Sequence, residues 1–176
     1  MTDTFDRLAW LRAIDPHLAD AYRSAEVTAF DVPCAAYVAL RGFAETFLGR
    51  DETSAGVPRG RPLYDRIEAA RAQKLIRDDV LDGLDALRRD GNVAAHPAPE
   101  ERKPERSVVD LLRVAWSCAA WLHRRRGGRE DEVPTFQAPT LVDSAVVFRD
   151  AMMGGAMGTG DPVAKFHVAQ SLIEHE

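Results

Sequence analysis

The sequence predicts an all-α protein, and three observations carry that prediction. Apolar residues recur at the three- and four-residue spacing of a buried helix face over most of the first 127 positions. Period-two alternation and long β-branched runs, the marks of strands, do not occur between Met1 and Gly128. Helix punctuation stands where those periodic stretches begin, as at Asp15-Pro16 and Val32-Pro33.

Phe5, Leu8, Trp10, Leu11 and Ile14 form the first stripe, which stops at Asp15-Pro16, where an aspartate can cap a new helix with proline in its first turn. Leu18, Tyr22, Ala25 and Phe30 mark the second helix. The third runs from Pro33 to about Gly49 and carries Tyr37, Leu40, Ala44, Phe47 and Leu48. The glycine- and proline-punctuated stretch from Gly49 to Pro62 lacks periodicity and reads as a loop. Helix returns at "LYDRIEAARAQ", breaks at "KLIRDD", and resumes in "DDVLDGLDALRRDGNVAAH" with Val80, Leu84 and Leu87 on one stripe. After a loop at "PAPEERKP", the segment from Ser107 to His123 is apolar around most of its circumference, which predicts the central helix. Residues 1–127 are thus expected to form one bundle of five or six helices, 128–139 a linker, and 140–176 a helical extension jointed at "GGAMGTG".

Composition narrows the function classes. A chain of 176 residues with 45% hydrophobic and 29% charged content is expected to pack one soluble core, which argues against global disorder and against a membrane protein. The N-terminus opens with acidic residues and no positive region, so no signal peptide is expected and the expected compartment is the cytoplasm. Met1 and the ending "SLIEHE" leave open whether the chain is whole or the leading part of a larger subunit. A net charge of −5 excludes a surface that binds nucleic acid everywhere. The densest basic run, Arg124, Arg125 and Arg126 with Arg129, is a candidate nucleic-acid contact. It also suits the end of a helix, where cations favour the dipole and Gly127-Gly128 can cap. Cys34 and Cys118 lie in Ala-rich apolar settings without metal spacing and are expected to be buried free thiols. The five histidines show no ligand spacing, and neither a phosphate-binding loop nor a serine nucleophile elbow is present, so no metal and no cofactor are expected.

The stretch "LRRDGNVAAHP" holds the candidate chemistry. On a continuous helix, Arg88, Asn92 and His96 share a face with Asp85 just above, and a guanidinium, an amide and an imidazole together can hold a phosphate and move a proton. The alternative ends the helix near Asp90, with Gly91 left-handed and Asn92 capping the next turn. "LRRDGNVAAH", with "LRGFAE" and the order of the helices around them over residues 5 to 139, resembles the helical domains of the HEPN superfamily. Within it, the chain is similar to the domain of unknown function at the N-terminus of type I restriction enzyme R subunits and related defence helicases. The resemblance implies a site made of Arg88, Asn92 and His96, with Arg41, Glu45 and Arg89 in a surrounding polar network whose closure would place Glu45 within reach of Arg41, Arg88 or His96. It also implies pairing of two copies through helical faces, a larger restriction, helicase or defence partner, and contact with RNA or DNA. Catalytic members carry an arginine directly before the asparagine, where this chain has Gly91. Two readings follow: a non-catalytic accessory domain of a restriction or anti-phage system, or a metal-independent endoribonuclease with His96 as acid or base and Arg88 or Arg89 as phosphate clamp.

Overall fold

Residues 4–50, 60–96 and 103–140 are described by a computed structural model, with side chains from Leu8 onward. They form six α-helices and no strand: α1 (Thr4–Ile14), α2 (Pro16–Thr28), α3 (Pro33–Phe47), α4 (Leu63–Ala72), α5 (Asp78–Ala95) and α6 (Val108–Arg125), followed by a 3-10 turn at Glu130–Glu132. The expected extension beyond Thr140 lies outside the described residues. None of these helices is long and apolar enough to cross a membrane.

Asp15 starts α2 as its pattern predicts. The residue is extended at φ −164°, and its carboxylate accepts the amides of His17 at 2.9 Å and Leu18 at 3.1 Å while Pro16 fills the first helical position. An ion pair from Arg50 to the same buried carboxylate ties the end of α3 to the start of α2. Ser107 caps α6 in the same way through the Asp110 amide. Val32, by contrast, precedes α3 without a side-chain cap. Helix α2 stops at Thr28, so Phe30, expected on its apolar stripe, falls in the turn that follows and is exposed.

The core gathers Leu18 and Tyr22 from α2, Leu40, Phe43 and Phe47 from α3, Leu81, Leu84 and Leu87 from α5, and Leu111, Leu112 and Leu122 from α6. Helix α3 packs most extensively against α2 and α5, and α6 crosses both α5 and α3. Each such fully buried side chain contributes roughly 1.5–3 kcal/mol of apolar transfer. Along one side of α6 the rings of Trp10 and Trp116 lie 4.6 Å apart, with Tyr22 5.8 Å from Trp116 and His123 5.6 Å from Trp10.

Helix α6 ends at a left-handed Gly127, φ +87°, and the Gly128 amide returns to the His123 carbonyl at 3.0 Å. A side chain at Gly128 would overlap the His123 ring. The segment expected as a linker then runs back along α6. Pro134 accepts the Trp116 indole N–H at 3.0 Å, His123 meets Glu132 at 3.1 Å, and Phe136 lies under the Arg113 guanidinium at 5.2 Å.

Candidate functional site

Helix α5 runs unbroken through Gly91 to Ala95, so the alternative in which Gly91 turns the chain is excluded. Gly91 serves a different need. A Cβ there would stand 2.5 Å from the Cβ of Arg41 and 2.9 Å from the Tyr37 carbonyl oxygen, both on α3. The apolar stripe of Val80, Leu84 and Leu87 thus ends in a residue with no side chain, and the α3 and α5 backbones close to a distance that only glycine permits.

That contact distributes the neighbouring polar residues. Arg88 lies beside the buried stripe, donates to Asp85 at 2.8 Å and stacks over the Tyr64 ring of α4 at 5.3 Å. Arg89 reaches the other oxygen of Asp85 at 3.2 Å and approaches Glu105 at 3.9 Å. One carboxylate therefore holds both guanidinium groups proposed as phosphate clamps. Arg41 pairs with Glu45 one turn along α3 at 3.1 Å, while the Glu45 backbone carbonyl accepts from Arg66 of α4 at 3.2 Å. Asn92 is half-buried, and its side chain forms no hydrogen bond with a described residue. His96 ends the helix: its amide closes the last turn on the Asn92 carbonyl at 3.1 Å, and its side chain is exposed, without a hydrogen bond to a described residue.

The three residues grouped by helical spacing are therefore not drawn together by hydrogen bonds: Arg88 turns to Asp85 and Tyr64, and His96 faces out. Glu45 lies within reach of Arg41, one of its three expected partners, but no hydrogen bond among the described residues joins His96 to that pair.

Sequence reasoning passed over Asp90, which proves to be the buried charge of this region, 2% exposed. Its Oδ1 accepts the Glu105 amide at 2.8 Å and its Oδ2 lies 3.8 Å from the Arg106 guanidinium. The Tyr37 hydroxyl donates to the Arg106 carbonyl at 2.7 Å, so α3 and α5 together grip the segment that leads into α6. Burial, and then the nearby charge of Asp90, raise the Tyr37 hydroxyl above its ordinary pKa. Spacing places 90 and 91 on the continuation of the 80, 84 and 87 stripe, but an acid there reads as the edge of a solvated face until the close approach of α3 buries it.

The basic run at the end of α6 is engaged within the chain. Arg124 holds Glu130 at 2.7 Å, Arg125 lies over the Trp121 ring at 5.8 Å, and Arg126 donates to the carbonyl of Ile14. Arg129 pairs with Asp131 at 2.7 Å. Cys34, expected to be buried, is exposed in the first turn of α3. Cys118 is buried as expected, and burial pushes its thiol up to about 12. No group of three or more metal-ligating side chains occurs among the described residues.

Fold and site define an all-helical bundle domain whose conspicuous polar cluster locks helices to one another. The chain belongs to the family described as Domain of unknown function (DUF4145), which it matches over residues 23–120, more than half its length. No curated protein and no solved structure matches it.

Proposed function

We propose that this chain is a non-catalytic, HEPN-like accessory domain that works by docking a partner within a bacterial restriction or anti-phage defence system. The observation that carries this reading is the wall around Gly91. Metal-independent cleavage of RNA needs an arginine charge at the phosphorane and an imidazole at the 2′-hydroxyl, both held in place before reaction. The position before Asn92 admits no side chain against Arg41 and Tyr37, so an arginine there would force α3 and α5 apart. Arg88 and Arg89 sit up to a turn away, about 5 Å along the axis, and both are held by Asp85. His96 has no partner among the described residues to orient its ring or set its tautomer. A helix-locking role uses Gly91, Arg88 and Asp90 as they stand, and it leaves the outer surface of the bundle, His96 included, for partners.

The test is incubation of the full chain with single-stranded and structured RNA in the presence of a metal chelator. The expected result is no cleavage above the buffer control, with His96→Ala indistinguishable from the parent. Cleavage that is lost in His96→Ala while Tm is unchanged would establish the endoribonuclease reading instead.

A further inference from the structure

Among the described residues four large apolar side chains are exposed, and three of them, Phe30, Val32 and Val38, fall between residues 30 and 38. Pro33, Cys34 and Ala35 between them are exposed as well, and Asp31 is the one charge in the stretch. Gly42, one turn beyond Val38, leaves open space where a side chain would stand. The inner side of α3 is already filled by Ala36, Leu40 and Phe43, so the helix is apolar within and without over its first two turns. A surface helix ordinarily turns a polar side to water. Clustered apolar groups on the outside mark a face that something covers.

The course of the chain brings its own continuation to this face. Helix α2 starts beside the C-terminal end of α6, where Arg126 donates to the Ile14 carbonyl, and then passes Trp116 at Tyr22. It therefore runs antiparallel to α6, and the turn after Thr28, with Phe30 and Val32, lies toward the start of α6. The hydrogen bond from Tyr37 to the Arg106 carbonyl places the first half of α3 at the same end. The segment that follows α6 takes this direction too: Glu132 meets His123, Pro134 meets Trp116 and Phe136 meets Arg113. From Phe136 the chain can span up to about 13 Å by Thr140, while α6 covers about 9 Å from Arg113 back to Ser107. Pro139, on the way, is buried.

We infer that the residues following Thr140 dock on the outer face of the α2–α3 turn and α3, with Leu141, Ala145, Phe148 and Met152 against Phe30, Val32 and Val38. Those four recur at the spacing of one helix face. A segment tethered at the rim of the face competes at a high effective concentration, whereas a second copy of the chain must first give up its free translation and rotation. The inference is independent of the interaction-domain reading.

The experiment places a nitroxide on Cys34, exposed at the edge of the face, in the full isotope-enriched chain, with buried Cys118 left unlabelled. Amide signals of residues 141–152 are expected to lose intensity relative to the reduced label. They are expected to keep it when nitroxide-bearing chain is mixed with enriched chain that carries no label. Phe148→Asp is expected to restore the signals and to leave those of the bundle where they were. Without any label, Val38→Asp is expected to strip residues 141–152 of their protection from hydrogen exchange. Full intensity in the labelled chain, protection untouched by Val38→Asp, or intensity loss that survives Phe148→Asp would each overturn the inference. So would loss confined to the mixed sample, which would seat a second copy on the face.

Discussion

Gly91 has room for a hydrogen where any other residue would place a carbon 2.5 Å from the Cβ of Arg41. Because both helices are held in the core by Leu40, Phe43, Leu84 and Leu87, neither can shift without opening other contacts. Gly91→Ala is expected to lose about 1–3 kcal/mol in urea denaturation through overpacking, although alanine is the better helix former. Gly91→Arg, which restores the arginine of the catalytic signature, is expected to lose more than this and to gain no cleavage. A stable Gly91→Arg chain would show that α3 and α5 part more easily than their packing implies. The two cysteines offer a second check at this scale. Cys34 is expected to react with a thiol reagent in the native protein, whereas Cys118, buried and raised to about 12, is expected to react only after unfolding. Two thiols reacting at one rate in native buffer would contradict the burial of Cys118.

At the scale of elements, the helix starts were legible because their signals are local. Asp15 with Pro16 needs no tertiary information to act as a cap. Asp90 was not legible in the same way. An acid between Arg89 and Gly91 reads as part of a solvated face, and only the close approach of α3 buries it. Cys34 erred in the opposite sense, since an apolar neighbourhood in sequence says little about a first helical turn whose exposed side is set by where α3 meets α2. The Arg88, Asn92 and His96 grouping was geometrically sound as helical spacing, but spacing cannot reveal that Asp85 takes the arginines. Asp90→Ala leaves the Glu105 amide without its acceptor and is expected to lower stability by about 1–3 kcal/mol. Hydrogen exchange at Glu105 should quicken with it, and an unchanged rate would mean that Asp90 does not hold this segment. The returning segment after α6 responds to pH. Its Glu132 carboxyl is held below the ordinary value of 4.5 chiefly by the Arg129 amide, with His123 adding to it. A depressed carboxyl contributes stability above its unfolded pKa and loses it as pH falls through the folded one. Protection over residues 129–136, after division by the intrinsic exchange rate at each pH, is therefore expected to fall below about pH 4.5. Glu132→Gln should abolish that fall, and its persistence in the variant would assign the response to another group.

The whole bundle is larger than the part by which its family is known. The match opens at residue 23, inside α2, yet α1 and the capped start of α2 lie before it. Leu11 and Leu18 are fully buried, and Trp10 packs at a tilt against Trp116 of the central helix, ring centres 4.6 Å apart. Asp15 binds Arg50 across the sequence, so the end of α3 depends on a residue outside the match as well. Loss of one buried leucine typically costs about 2–5 kcal/mol, against a total stability of about 5–15 kcal/mol for a domain of ordinary size. Deletion of residues 1–14 removes Leu11 and Trp10 together, exposes Trp116 and Tyr22, and frees the Arg126 guanidinium from the Ile14 carbonyl. The truncated chain is expected to keep helical circular dichroism but to lose its sharp thermal transition, with the fluorescence of Trp116 shifted to the red. A truncated chain that melts as sharply as the parent, within a few degrees, would place α1 outside the cooperative unit and return the domain boundary to the matched residues.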